Sequence, residues 1–522
     1  MTGAAANPSW SRFCGVASRR ADARALVQGS EVASFATLRM LAEVLAAEGP
    51  CAAVGEGQRV VIWARNGVAM AATILAVWAR NGIPILLGPQ TPVRHVGHAA
   101  TVTEAALVIA EAATLETARG VVTCRVAALE LPDVRGASAP TSISAATGEG
   151  ADKPASILFT SGSTGLPKGV VQAHRSLAAG CEAVSKSLGT SERDQILCSV
   201  PWGFDYGWGQ LLSTFFLGVT HVLPTGPEPF ALCEAIARHR PSILASVPSV
   251  LAGLTRGVSG IAKTDLSSIR LLTNTGSRIP PDIFRDALSY FSHAAISLNY
   301  GLTETYRTCT LDPALARIHP DSVGRAIHGA AVTILDDDGK PVPPKTVGEI
   351  VHRGGGVFSG YWGNPEATAK VRRPDPLALD QPNPTPAVYT GDLGYFDEAG
   401  LLYLVGRRDR QIKSMGVRVS PEEIETILLS SGLVREAAVL SRKHETIGDQ
   451  VLAVIAAGDG GDPVAALKRY ARQQMSPFME PRLYFVVDAL PRTSSGKVDY
   501  SELRRRYAET HTDIPSPMGA MS

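Results

Sequence analysis

The sequence predicts an α/β protein, with a large first domain and a smaller α+β unit behind it. Three observations carry that expectation. A chain of 522 residues is too long for a single hydrophobic core, so two or more domains follow. Short apolar, β-branched runs alternate with helix-patterned stretches through the first 300 residues, which implies buried strands with covering helices. Beyond residue 410 a shorter series of helix and strand patterns begins.

In chain order, 59–64 (RVVIWA), 84–88, 106–110, 156–160, 195–200, 242–247 and 269–273 read as strands. The stretches 230–240 (FALCEAIARHR) and 281–291 (PDIFRDALSYF) read as helices between them. The longest apolar run, 68–79, is too short to span a bilayer and reads as a buried helix. From 320 to 405 the pattern changes to short strands punctuated by Gly and Pro, with Asp337-Asp338-Gly339 as a hairpin turn. The proline-rich 374–386 is expected to be a surface loop. The smaller unit reads as a helix over 421–429, strands at 437–440 and 451–456, a helix over 463–475 and a strand at 483–487. Residues 509–522 read as a frayed tail.

Composition excludes several classes. Fifty basic against forty-nine acidic residues leave a net charge of +1, which offers nothing to nucleic acid or an anionic membrane. Seven cysteines, scattered singly with no C-x-x-C pair, read as reduced thiols in a reducing compartment. The first fifteen residues hold no basic segment leading into an apolar run, so no secretory signal is expected. A cytoplasmic protein without membrane insertion is the expectation.

The most informative segment is 157–170, ILFTSGSTGLPKGV. An apolar strand empties into a loop of hydroxyls and glycines that ends in a lysine. Gly162 and Gly165 allow backbone N–H groups to turn inward as an anion-binding nest. Thr160, Ser161, Ser163 and Thr164 add donors for phosphate oxygens, and Lys168 adds a charge. A Gly/Ser-rich surface loop has the same composition, but the order of residues is more specific. No G-x-x-x-x-G-K-[ST] spacing occurs, so this is not the phosphate loop of a P-loop kinase.

TSGSTGLPKG resembles, position for position, the phosphate loop of the adenylate-forming superfamily of acyl-CoA synthetases, peptide-synthetase adenylation domains and luciferases. The resemblance covers residues 25 to 505 and brings further motifs in the family's order. Asn299-Tyr300-Gly301-Leu302-Thr303-Glu304 resembles the motif whose tyrosine packs on adenine, whose threonine binds the α-phosphate and whose glutamate helps hold Mg²⁺. Tyr389-Thr390-Gly391-Asp392 resembles the motif whose aspartate accepts hydrogen bonds from the ribose hydroxyls. Gly406-Arg407 followed by Asp409 resembles the hinge, with the arginine on the nucleotide. Lys413 and Gly416 fit the motif that faces the thiol tunnel. Pro491-Arg492-Thr493-Ser494-Ser495-Gly496-Lys497 resembles the C-terminal P-x-T-x-x-G-K, which makes Lys497 the catalytic lysine. A lysine bridging the attacking carboxylate and the α-phosphoryl group would stabilise the transition state more than the ground state.

The resemblance implies a large multi-sheet α/β domain over 1–408 that binds acid and ATP, and a small mobile α+β domain over 409–522 that carries Lys497. It implies ATP and Mg²⁺, and CoA or a phosphopantetheine as thiol acceptor. The expected reaction is acid plus ATP to acyl-AMP, then transfer of the acyl group to the thiol after the small domain turns.

The acid is less legible. The resemblance frames the acyl pocket with Trp202, Phe204, Asp205, Asn274, Gly276 and Arg307. In amino-acid-activating domains an aspartate in this F-D position pairs with the substrate ammonium, and a buried carboxylate needs some such partner. Asp205 capping the following segment, or pairing with Arg307, is the other reading, and F-D-Y-G with a downstream arginine also fits ligases of non-amino acids. Alternating aromatics such as Trp202 and Trp208 are more often core than pocket lining. Two enzymatic functions therefore remain open: a ligase for a non-amino carboxylic acid, or an amino-acid adenylation enzyme loading a separate carrier protein. A luciferase-like oxidation shares the same motifs, and a degenerate nucleotide sensor is disfavoured by intact Lys168, Glu304, Asp392 and Lys497. No carrier-type serine motif follows residue 505, so a separate carrier or free CoA is expected as acceptor.

Overall fold

A computed structural model describes residues 7–134, 150–160, 166–414, 417–444, 448–458, 463–493 and 496–508. The chain divides into two compact units, Met1–Leu404 and Val405–Ser522. The first is mixed α/β and the second a smaller α+β unit, the fold class that the alternation predicts.

In the first unit, the apolar runs become strands because a continuous apolar segment suits a strand covered on both faces. Arg59–Trp63 lies in parallel between Ile83–Leu87 and Leu107–Ala110. Ile83–Leu87 pairs in turn with Pro154–Thr160, which forms a hairpin with Lys168–Ala173. Val68–Ala79, which reads as buried in the sequence, is a helix with almost every side chain out of water. Trp78, on this helix, is fully buried and donates its indole N–H to Ala155 O at 2.8 Å. It packs edge-on to Phe215 and near Trp208.

A longer sheet holds a run of parallel strands: Ala295–Tyr300, Leu271–Asn274, Ile243–Ser246, Gln195–Cys198, Thr220–Leu223 and Arg24–Gln28. Antiparallel strands continue it, beginning with Cys309–Thr310. The antiparallel part carries the Gly- and Pro-punctuated stretch. Gly339 N bonds to Asp336 O with Gly339 at φ 78°, the turn expected there. Residues 375–385 form a loop closed by Asp375 N to Thr385 O.

The helix Pro8–Arg19 starts where Asn7 accepts hydrogen bonds from Ser9 N and Trp10 N, each at 3.1 Å. The same amide places its Nδ2 3.4 Å from His174 Nε2, while His174 Nδ1 lies 2.6 Å from Ser9 Oγ. One cap residue therefore starts the first helix and holds a buried imidazole.

In the second unit, Val434–His444 and Gly448–Ala457 form an antiparallel ladder, and Leu483–Val487 joins it in parallel. The first of these runs beyond the expected 437–440. Its polar end is held by the ladder and by Arg442 Nε to Gln450 Oε1 at 3.1 Å, an extension that apolar patterning does not report. Pro421–Ser430 starts at Ser420, whose hydroxyl accepts from Glu423 N. Its Ile424 and Leu428 pack with Leu467 and Ala471 of Val464–Gln474. The seven cysteines are free thiols. No helix among the described residues is long and apolar enough to cross a membrane.

Three buried histidines of the first unit, His174, His221 and His352, are each pushed down to about 4 by burial. The unfolded chain takes up these protons near its ordinary value of about 6.5. Between about pH 6.5 and 4 the unfolded state thus binds more protons, and stability falls as pH drops through that window. Thermal unfolding at pH 5 is expected several degrees below that at pH 7, with a smaller gap in His221→Leu. Equal melting temperatures at the two pH values would contradict this.

Candidate active site

The hairpin Pro154–Thr160 and Lys168–Ala173 pairs Thr160 with Lys168. Thr160 and Lys168 are both partly buried. Ser161, Gly162, Ser163, Thr164 and Gly165 lie outside the described residues. Beside Lys168–Ala173 runs the two-residue strand Gly360–Tyr361, with Tyr361 opposite Val170. The Lys168 ammonium sits 5.2 Å from the centre of the Tyr361 ring, a cation–π distance. The Tyr361 hydroxyl donates to Glu304 Oε1 at 2.6 Å. One aromatic residue that sequence reading missed thus connects the loop lysine to the glutamate of the N-Y-G-L-T-E segment.

Gln172, also missed, makes a second connection from the same strand. It is buried and accepts from Ser156 Oγ at 3.0 Å. Its Nε2 donates to Asp205 Oδ1 at 3.0 Å and approaches Thr303 O at 3.4 Å. The alternation of Lys168–Ala173 turns Gln172 to the face opposite Val171, and nothing in its composition marks it.

The remaining residues come from the carboxyl ends of the parallel strands, where open α/β sheets bind ligands. Asp205 opens the helix Asp205–Leu217, where the helix dipole favours a negative charge. Tyr206 is buried and donates its hydroxyl to Thr273 O at 3.0 Å. Asn274 is buried at the end of its strand, and Gly276 follows at φ 96°. Asn299 Nδ2 bonds to Thr273 Oγ1 at 2.9 Å and Asn274 O at 2.8 Å, while its Oδ1 accepts from Thr310 Oγ1. Expected on the nucleotide, the Asn299 side chain is instead occupied in joining strands. Tyr300 and Asp392 are brought together, the phenol donating to Asp392 Oδ2 at 2.5 Å. Burial and the adjacent carboxylate hold the phenol well above its ordinary value.

After Tyr300 the chain makes a tight loop. Gly301 is required there, because a Cβ would lie 2.9 Å from Arg307 Cα. Tyr306 adopts φ 61°, a strained position for a bulky residue. Its ring fits against Gly180, where a Cβ would lie 2.5 Å from Tyr306 Cγ. The turn sends Arg307 inward. Arg307 is 5% exposed, its guanidinium carbon lies 5.4 Å from the centre of the Tyr206 ring, and its Nη1 has no hydrogen-bond partner. Burial lowers its pKa, and the charge of nearby Asp205 partly offsets this. An unmatched buried donor costs about 1–3 kcal/mol, and more when charged.

The aromatic residues expected beside the acyl group divide. Trp202 is fully buried, stacked edge-on against His221, and belongs to the core, so it offers no surface to a ligand. Phe204 is half-buried against the cluster that contains Tyr206.

In the second unit, Arg407 Nε and Asp409 Oδ1 pair at 3.2 Å. Lys413 is exposed on Ile412–Ser414, and Gly416 lies outside the described residues. Lys497 is exposed on a turn closed by Thr493 N to Lys497 O at 2.8 Å. Behind it, Tyr500 donates to Glu425 Oε1 at 2.9 Å, and Arg410 pairs with both Glu425 and Glu422.

Fold and residue set together are those of an α/β protein whose candidate site lies at the carboxyl ends of its parallel strands. Residues 14–362 match the AMP-binding enzyme family, and residues 423–497 match the AMP-binding enzyme C-terminal domain; the chain belongs to this adenylate-forming family. It is 32% identical over 363 residues to a 2-succinylbenzoate–CoA ligase of Geobacillus kaustophilus, covering 69% of this chain and 70% of that protein. It is 34% identical over 366 residues to the phosphinothricin tripeptide synthetase PhsC of Streptomyces viridochromogenes, covering 67% of this chain but 32% of that much longer protein. Among solved structures, ATP-bound MatB from Rhodopseudomonas palustris superposes with a TM-score of 0.85 at 25% identity, covering 96% of this chain and 99% of that one.

Loss of the Tyr361 hydroxyl removes a hydrogen bond to a charged group, worth about 1.5–3 kcal/mol. Tyr361→Phe is expected to lower the kcat/KM of adenylation about tenfold or more, with the melting temperature lowered by no more than a few degrees. An unaltered rate would show that Tyr361 does not hold Glu304 in the working enzyme.

Proposed function

We propose that this chain is an AMP-forming acid–thiol ligase acting on a carboxylic acid that lacks an α-amino group. The observation that carries the choice of acid is the state of Asp205. Its carboxylate accepts from Gln172 and lies in the field of the buried Arg307 guanidinium. A carboxylate already matched in this way has no need of a substrate ammonium. An aspartate awaiting an ammonium would stand without a cationic neighbour.

The substrate carboxylate attacks the α-phosphorus of ATP, pyrophosphate leaves, and acyl-AMP forms. Thr160 and Lys168, with the hydroxyl- and glycine-rich residues between them in sequence, bind the β- and γ-phosphates. Tyr300 packs on adenine, Asp392 accepts from the ribose, Arg407 contacts the nucleotide, and Thr303 binds the α-phosphate. Glu304 is a single carboxylate held by Tyr361, which suits Mg²⁺, since that ion is commonly held by one or two carboxylates plus substrate phosphates. Bound there, Mg²⁺ would neutralise phosphate charge. Lys497 stabilises the charge shared by carboxylate and α-phosphoryl group. In the second half-reaction a thiol, of CoA or of a carrier's phosphopantetheine, attacks the acyl carbonyl and AMP leaves, with Asp409 as hinge and Lys413 and Gly416 facing the thiol.

A second reading, amino-acid adenylation for a carrier protein, draws on the 34% identity to PhsC. Acid-dependent ATP–pyrophosphate exchange across amino acids and their deamino analogues separates the two. Exchange with the deamino acids is expected, and exchange confined to amino acids would overturn the assignment. Lys497→Ala is expected to lower exchange by roughly a hundredfold or more, while thiol transfer from preformed acyl-AMP stays within a few-fold of wild type. Equal loss of both half-reactions would contradict the role given to Lys497.

A further inference from the structure

Arg307 is not used by the adenylation chemistry, yet the fold is arranged to place it. A guanidinium at 5% exposure with an Nη1 that meets no acceptor is an unfavourable way to end a side chain. The cation–π contact with Tyr206 at 5.4 Å is electrostatic and gives the guanidinium N–H donors no acceptor oxygen or nitrogen. Three features hold it there: the left-handed Tyr306 before it, Gly180, which makes room for the Tyr306 ring, and Gly301, whose backbone closes on Arg307 Cα. Strain of this kind persists where the surroundings over-determine it, and it clusters at ligand sites.

The group also lies where the sheet binds ligands. Tyr206, under the guanidinium, is anchored to Thr273 O at the carboxyl end of Leu271–Asn274. Asn299 ties that strand end to the next one. Arg307 therefore stands at the crevice beyond the parallel strands, beside the pocket expected to hold the acid.

The geometry points to a substrate class: the acid carries an uncharged oxygen, of a ketone or hydroxyl group on its carbon skeleton, that accepts a hydrogen bond from Arg307. This rests on the ligase reading above and narrows it. Charge decides the class. Asp205 and Arg307 contribute −1 and +1, and sum to zero in a region poor in water. A second carboxylate on the acid would leave a net buried negative charge, and an ammonium would leave a net positive one. A neutral oxygen satisfies the donor and leaves the balance intact. A site built to hydrogen-bond such an oxygen also rejects analogues that lack it, because the donor is then left unmatched.

The test uses the full chain and ATP–pyrophosphate exchange, after confirming ATP binding. The acids are matched series on aliphatic and aromatic skeletons: unsubstituted, with a hydroxyl or oxo group at successive carbons, with a second carboxylate, and with an amino group. The best oxo or hydroxy acid is expected to exceed its unsubstituted parent at least tenfold in kcat/KM. Arg307→Met should abolish that margin by losing rate on the oxygenated acid alone, and Arg307→Lys should retain part of it. Thermal melts identify variants that fail to fold, and the wild-type comparison stands without them. Preference for the unsubstituted or dicarboxylic acid overturns the inference while leaving the ligase reading in place. So does an oxygen preference that survives in folded Arg307→Met. Preference for the amino acid overturns both the inference and that reading. Exchange with no acid by an enzyme that binds ATP removes the ligase reading, and this inference with it.

Discussion

The phenol of Tyr300 donates to the carboxylate of Asp392 at 2.5 Å, with both groups buried. Tyr300 ends the parallel strand Ala295–Tyr300, and Asp392 lies in the antiparallel strand Pro386–Phe396. The bond therefore ties together the two differently built parts of the long sheet. Its partners cannot both be left unmatched out of water, so the strands that carry them are held in register. Around this joint lie the strand ends from which Asp205, Asn274, Thr303 and Arg307 extend. A residue implied for adenine and one implied for ribose thus share a proton donor and acceptor pair.

The other connections follow the same logic of supporting a functional group through a neighbour. Tyr361 reaches both Lys168 and Glu304, and Gln172 reaches both Asp205 and the Thr303 carbonyl. Both come from the paired strands Lys168–Ala173 and Gly360–Tyr361. The hairpin of Pro154–Thr160 and Lys168–Ala173, with the strand beside it, consequently also holds the carboxylates of Asp205 and Glu304. Substituting either residue changes the site without touching a residue that any motif marks.

How much of this was legible in the sequence depended on the kind of signal. Apolar runs such as 59–64 and 243–246 are buried on both faces, so hydropathy alone located their strands. Lys168–Ala173 begins with Lys-Gly and contains a glutamine, and only its partner strand identifies it as a strand. TSGSTGLPKG and the later motifs were readable because the chemistry requires those residue types in a fixed local order. Gln172 and Tyr361 were not, because their significance arises from residues more than thirty positions away in the chain. Trp202 shows the converse. Its alternation with Phe204 and Tyr206 favoured a core without excluding a pocket, and packing against His221 decides for the core.

The central claim is that the acid oxygen bonds to the α-phosphorus of ATP. The most direct measurement follows ¹⁸O from doubly labelled carboxylic acid through a complete turnover with thiol acceptor. Acyl-AMP formation predicts that AMP emerges with one labelled oxygen and that the pyrophosphate carries none. Label appearing in inorganic phosphate, with ADP as the nucleotide product, would mean an acyl-phosphate route and would contradict the account.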